Sequence, residues 1–384
     1  MASGGRRPSP QRISPLSRSS ALWQLCSTRF GPPLGGFGAI GMVEPTRRFE
    51  LRTCCLRSRS AQALWHKRGM PSVGRSVSGS PFDACKACTL AYVPAIDLVR
   101  VPWIHGAPDC ERSTDPPIQV LAYDDDTFIL RQSKCVDFEA PFLYVLFGTE
   151  TVLLHDSGAT EDAGRFPIRR TVDGLIASRL RDRGGERPRT IVTHSHGHGD
   201  HHAGDVQFAD LPLGSVAPIG AEGVAAFFGI ADWPAGRAVL DLGERSIDVL
   251  PAPGHLADHV VLFDRTGGLL FTGDTLLPGP LTVRDWGAYR QSIRRLARFC
   301  RDSAASGHAV RHVLGAHIEM SHRPGVLYDL GTTYQPDELP LPLTMEDVFA
   351  LEEALEAAGD EPRTIPGDRF IVQPMDGASK PVTP

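Results

Sequence analysis

His194-Ser195-His196-Gly197-His198-Gly199-Asp200-His201-His202 packs five histidines and one aspartate into nine residues. The segment before it, Arg189–Thr193, is apolar and β-branched and follows a Gly/Pro/Arg-rich break, which predicts a short buried strand. The histidines therefore emerge where a strand ends and the chain turns, with Gly197 and Gly199 permitting unusual backbone angles. Alternate side chains of an extended run point the same way, so His196 and His198 can reach one cation together. Asp200 and His201 come one turn later and face a neighbouring position. A His-x-His-x-Asp-His pattern fits at all four defined positions from His196; begun at His194, it would put His198 where the aspartate belongs. Imidazole and carboxylate at this density suit zinc, and iron or manganese by ligand type. A loose surface histidine tract is the plain alternative, and the buried-strand signal leading into the run argues against it.

Three later segments repeat the theme of a strand ending in a ligand type. Ser246–Pro251 runs into Pro253-Gly254-His255, where a rigid turn aims the imidazole. Leu269–Asp274 is an apolar strand ending in Gly-Asp, a placement that suits a carboxylate shared by two cations; a turn or helix-capping aspartate is the alternative. His312-Val-Leu-Gly-Ala-His317 is a short strand, small residues and a histidine again. Asp156 ends an earlier strand and reads either as a turn former or as a carboxylate that orients a metal-binding histidine through its other ring nitrogen. His259 opens the strand Val260–Phe263 and is expected to pack there. His308 and His312 read as surface or packing residues, and Glu319 is left unassigned. Trp286 and Tyr289 read as the packing face of a helix capped by Asp285, with lining of a cleft as the alternative.

Composition divides the chain in two. Residues 1–95 hold 14 Lys/Arg against 3 Asp/Glu, and the remainder holds 26 against 42. The first part is rich in Arg, Ser, Gly and Pro without a sustained period, so it is expected to be a disordered leader, a transit segment or the product of a start assigned too far upstream. Residues 96–384 are expected to form one domain with a short C-terminal helical tail. Strands are predicted at Ile118–Tyr123, Thr127–Gln132, Pro141–Gly148, Glu150–Asp156 and Ala238–Leu242, and helices at Pro167–Arg183, Ala221–Ile230 and from Thr344 to Gly359. No run reaches the roughly eighteen apolar residues of a membrane span, so no membrane partner is expected. The net acidity of residues 96–384 is unfavourable for holding phosphodiester backbones, and no nucleic-acid partner is expected either.

Taken together, His196-x-His198-x-Asp200-His201, Pro253-Gly254-His255, Thr272-Gly273-Asp274 and Gly315-Ala316-His317 resemble, in the same order, the motifs of the metallo-β-lactamase-fold hydrolases. The likeness covers roughly residues 117–325. It implies an α/β fold, a four-layer αβ/βα sandwich in which two mixed β-sheets flanked by helices carry the metals at one edge. By position, the resemblance assigns His196, His198 and His255 to a first Zn2+ and Asp200, His201 and His317 to a second, with Asp274 bridging. The family usually has an aliphatic residue where His155 stands. Two such ions would lower the pKa of a shared water, making hydroxide available, and Asp200 would serve as general base.

The resemblance also narrows the chemistry. The bridging Asp274 differs from the β-lactamases proper. Glyoxalase-II-like thioesterases share the ligand set but add a helical C-terminal domain longer than this tail. The expectation is a binuclear zinc hydrolase that uses a metal-activated hydroxide on a small-molecule ester, lactone or thioester. A mononuclear-iron sulfur dioxygenase and a β-lactamase-like hydrolase are the alternatives, and His317 tilts against the dioxygenase. Cys85-x-x-Cys88 lacks a partner pair. Cys110 and Cys135 either pair, which would imply an oxidising compartment, or remain free thiols, so cytoplasmic and exported locations both stay open. The oligomeric state is not legible.

Overall fold

The computed structural model describes residues 96–375. The leader, including Cys85 and Cys88, lies outside the described residues. A first sheet begins with four antiparallel strands, β1 (Ile118–Ala122), β2 (Thr127–Gln132), β3 (Phe142–Phe147) and β4 (Thr151–His155). Helix α1 (Ile168–Arg183) then carries the chain back so that β5 (Arg189–Thr193) lies parallel to β4. A single turn, α2 (Gly199–His202), forms the end of the histidine run, and β6 (Gly214–Val216) closes the sheet parallel to β5. The connection through α3 (Ala221–Phe228) leads to the second sheet.

The second sheet opens with the antiparallel meander β7 (Ala238–Asp241), β8 (Ser246–Pro251), β9 (Val260–Asp264) and β10 (Leu269–Gly273). Strand β11 (Gly279–Val283) and helix α4 (Trp286–Ala305) then return the chain to β12 (His312–Gly315), parallel to β10. Its outer neighbour is the two-residue β13 (Pro342–Leu343), followed by α5 (Met345–Ala358) and β14 (Phe370–Pro374). The last strand pairs with β11 in a small parallel sheet of two. Strands β6, β11, β13 and β14 have no counterpart among the strands expected from the sequence, being too short or too plain in composition to stand out.

Both six-stranded sheets are mixed, and their inner faces meet in one apolar core. Leu121, Ile129, Tyr144 and Leu153 of the first sheet interlock there with Val249, Leu262, Phe271 and Leu314 of the second. Each outer face is covered by helices. Ile168, Val172, Leu175 and Ile176 of α1 lie on the first sheet, and burial of each stabilises by roughly 1.5–3 kcal/mol. Ile293, Leu296 and Phe299 of α4, with Val348, Leu351 and Leu355 of α5, cover the second. The result is helix, sheet, sheet, helix: four layers.

This topology decides where chemistry can sit. Two parallel crossovers, β4–α1–β5 and β10–α4–β12, bring the carboxyl ends of paired strands to the same edge. The edges of the two sheets are tied to each other as well. The Tyr144 hydroxyl donates to Gly315 O at 2.6 Å, Phe142 N to Ala316 O at 2.7 Å, and Val260 N to Ser195 O at 2.8 Å. Among the described residues no helix is long and apolar enough to cross a membrane.

Candidate metal centre

Four strand ends deliver seven side chains to this edge. The run after β5 brings His196, His198, Asp200 and His201; the turn after β8 brings His255; the ends of β10 and β12 bring Asp274 and His317. Their ligand atoms form two groups that share Asp274. His196, His198, His255 and Asp274 make one, and Asp200, His201, Asp274 and His317 the other, with all ligand atoms of a group within 4.8 Å of one another.

Each group fits a cation. In the first, His198 Nδ1 lies 2.8 Å from His196 Nε2 and 3.0 Å from His255 Nε2, and Asp274 Oδ2 is 3.5 Å from His255 Nε2. In the second, His201 Nε2 is 2.9 Å from Asp200 Oδ2 and 3.4 Å from His317 Nε2, which in turn is 3.2 Å from Asp200 Oδ2. Ligands held tetrahedrally about 2.0–2.1 Å from one zinc ion stand about 3.3 Å apart, so these separations are those of a cage around an ion. Asp274 Oδ1 is buried without a hydrogen-bond partner. A buried carboxylate oxygen left unsatisfied is costly, and a cation beside it removes the cost.

The far nitrogens of most of the imidazoles are occupied by protein oxygens, which turns the remaining nitrogen inward. His255 Nδ1 donates to Thr282 O at 2.8 Å, and His317 Nδ1 donates to Glu139 O at 2.8 Å. His201 Nδ1 bonds Asp156 Oδ2 at 2.9 Å. Asp156 does more than turn the chain. Its carboxylate also accepts from Ser195 N at 2.6 Å and Ser195 Oγ at 3.0 Å, while its backbone is held at φ 66°. A left-handed, fully buried aspartate survives only where its surroundings compel it.

Electrostatics divides the two groups. Burial, reinforced by neighbouring imidazoles, drives His196 well below its ordinary pKa; burial and His255 bring His198 down to about 4. Burial also lowers His255. Those three rings are neutral near pH 7, the form that ligates. For His317, burial works downward, but Asp274 and Asp200 outweigh it and lift the ring to about 9. Burial likewise opposes the charge on His201, and Asp200, Asp156 and Asp274 raise it well above the usual range. A cation held by the second group would therefore displace protons.

The other singled-out residues lie around this cage. His259 is fully buried, stacked on His196 at 5.0 Å, and its Nε2 accepts from Asp274 N at 3.2 Å, so it supports the shared carboxylate from behind. His194 bonds Asp205 at 2.9 Å outside both groups. Glu319 pairs with Lys134 at 3.0 Å and accepts from Gln335. Trp286 and Tyr289 are packing residues: the indole donates to Gly359 O and the phenol to Thr275 O. His155 is buried between the sheets and bonds Thr193 Oγ1 at 3.1 Å. His312 is half-buried against Tyr123, and His308 is exposed.

Sequence reasoning missed three contributors. Asp258 is buried and accepts from Gly197 N at 3.3 Å and Gly220 N at 2.8 Å, bracing the loop between His196 and His198. The Glu139 carbonyl aims His317. Arg284 Nη2 lies 3.0 Å from His198 Nε2. None carries a local signal: an aspartate in a turn, a main-chain oxygen and one arginine among many look ordinary until the fold assembles them.

Residues 136–317 match the family model of the metallo-beta-lactamase superfamily. The segment is a metallo-β-lactamase-superfamily domain. All seven side chains of the centre fall within it. The chain is also similar to curated proteins. A hydroxyacylglutathione hydrolase of Anaeromyxobacter dehalogenans is 42% identical over 92 residues, which are 24% of this chain and 34% of that protein. One from Hahella chejuensis is 41% identical over 69 residues, 17% of this chain and 27% of that protein. The chain thus spans about a third or less of the length of these relatives. Among solved structures, a metallo-beta-lactamase from Pontibacter korlensis is 19% identical, covers 52% of this chain and 91% of its own, and superposes with a TM-score of 0.38.

Proposed function

We propose that this chain is a metal-dependent hydrolase that acts through two zinc ions on a small-molecule ester, lactone or thioester. The observation that carries the reading is the pair of abutting ligand groups with Asp274 common to both. The similarity to proteins named hydroxyacylglutathione hydrolases supports hydrolysis, and of the three bond types it favours the thioester.

Bound ions supply Lewis acidity, which lowers the pKa of water toward neutrality and polarises a scissile carbonyl. The chain's own residues do the rest. His196, His198 and His255 present neutral nitrogens to one position, and Asp200, His201 and His317 define the other. Asp274, common to both groups and with its Oδ1 buried, stands between them. Asp200 Oδ2 is held by His201 and His317, and its side chain is 18% exposed. It is the carboxylate placed to hold a water and take its proton, a general base. Asp156 and His259 hold His201 and Asp274 in place, so little reorganisation is needed when charge develops.

Metal analysis combined with a hydrolysis screen over lactones, thioesters, phosphoesters and β-lactams tests the reading. Two zinc ions per chain with turnover of a carboxylic ester or thioester is the expected result. One iron per chain with oxidation of a sulfur substrate would overturn it.

A further inference from the structure

On the outer face of the second sheet, a cavity of about 350 Å³ opens between α4, the end of β8, the start of β9 and the loop 234–237 that leads into β7. Sites for small molecules measure about 300–1,000 Å³, so this one is large enough to hold a ligand. None of the seven side chains of the metal centre lines it. Its walls divide by chemistry. Leu250, Val261, Leu296 and Phe299 supply an apolar surface, and the Phe299 ring is held edge-on to Phe263 at 5.4 Å. Around that surface stand Arg237, Arg295 and Arg298, against a single carboxylate, Asp302.

The pairing of these charges is uneven. Helix α4 carries five arginines, and the chain answers four of them: Arg290 pairs with Asp360, Arg294 with Glu356, Arg301 with Glu352, and Arg298 with Asp302 at 3.7 Å. Arg295 is the exception. Among the described residues no Asp or Glu forms an ion pair with it, and none does with Arg237. The Arg295 side chain is half-buried, and one of its N–H groups, on Nη2, is given to Ser292 Oγ at 2.9 Å. Ser292 Oγ in turn donates to Pro253 O at 2.7 Å, so the guanidinium is anchored at one corner. A guanidinium has five N–H donors, and the other four of Arg295 meet no acceptor among the described residues. Arg237 gives none of its side-chain donors away.

A charge drawn partly out of water is costly unless a counter-charge answers it. Burial with no carboxylate opposite lowers the Arg295 pKa from its ordinary value, yet an arginine stays protonated at any ordinary pH. The relief available is therefore an anion from outside the chain. A carboxylate matches the guanidinium fork with two parallel hydrogen bonds, and the apolar wall beside the fork calls for a ligand whose remainder is hydrocarbon.

We propose that this cavity is a second binding site, separate from the metal centre, for a small amphipathic carboxylate, with its head on Arg295 and Arg237 and its apolar body on Leu250, Leu296 and Phe299. The site is independent of the hydrolase reading, since no ligand of the metal centre takes part in it.

Calorimetry of the zinc-loaded protein with sodium octanoate tests this, with acetate as the head without the body and 1-octanol as the body without the head. Octanoate binds, and each comparator binds about tenfold more weakly or worse. The double substitution Arg237→Gln, Arg295→Gln weakens octanoate binding about tenfold or more, while zinc content and the unfolding midpoint stay unchanged. Because a carboxylate also ligates zinc, an octanoate bearing a diazirine locates the site, and its cross-links fall within residues 234–237, 250–252 or 292–302. No measurable binding, octanoate binding indifferent to both arginines, acetate bound as tightly as octanoate, or cross-links confined to residues 194–202 would each refute the assignment.

Discussion

Asp200 and His155 show how much a single buried or half-buried group can decide. Asp200 lies within 3.2 Å of two imidazoles of the centre, and its side chain is 18% exposed. Asp200→Ala is expected to lower kcat by about 10²–10⁴-fold, the usual range for loss of a general base, while far-ultraviolet circular dichroism stays unchanged. Retained turnover would remove the general-base role. His155 stands where an aliphatic side chain would be ordinary. Burial, with smaller opposing and reinforcing effects from Asp156, His194 and His201, takes its pKa down to about 4 from 6.5. The unfolded chain takes up this proton as pH falls below 6.5, whereas the folded chain resists until about 4. The stability associated with a neutral His155 is therefore complete above pH 6.5 and is lost between there and about 4, to the extent of roughly 3 kcal/mol. Denaturant unfolding across that window should show a shallower acid limb in His155→Leu, and an identical slope would refute the assignment.

Elements matter here through their ends. Parallel pairing of β4 with β5 and of β10 with β12 is what sets Asp156 beside the histidine run and Asp274 beside His317. The turn after β8 shows how tight such an end is. Gly254 has φ 146°, and a Cβ there would lie 2.4 Å from Tyr289 Cα, a main-chain atom with little room to give. Gly254→Ala combines that clash with a strained backbone, so a loss of about 2–5 kcal/mol is expected, together with a lowered zinc content because His255 moves with the turn. Equilibrium unfolding and metal analysis check both effects. The boundaries of these elements were mostly legible, since apolar and β-branched runs mark β1 to β5 and β8 to β10, and four-residue spacing marks α1. The exceptions were β6, β13 and the β11–β14 pair, whose short or Pro-containing segments are held by partners distant in sequence and carry no period of their own.

Across the whole molecule, the two sheets are fastened by polar side chains as well as by the shared core. Arg245, from the β7–β8 turn, bonds Asp264 through two nitrogens at 3.1 and 2.7 Å and reaches the first sheet at Asp126 O, Phe147 O and Thr127 Oγ1. Arg245→Met strands Asp264, which is fully buried, and is expected to cost about 3–5 kcal/mol, read as a shift in denaturant midpoint. Addition of Asp264→Leu in the same chain should recover much of that loss, and no recovery would sink the ion-pair account. Cys110 and Cys135 form a disulfide that ties the entry segment to the loop leading to Glu139. What the amino-acid sequence determined alone was local: strand and helix identity, the register of the His-x-His-x-Asp-His run, and the ligand types at later strand ends, because periodicity and turn chemistry act over a few residues. What the tertiary structure decided was convergence. The sharing of Asp274, the aiming of His317 by a main-chain carbonyl, the bracing by Asp258 and the stance of Arg284 over His198 all join groups that are far apart along the chain. Such contacts exist only once two sheets have packed face to face and brought their strand ends to one edge.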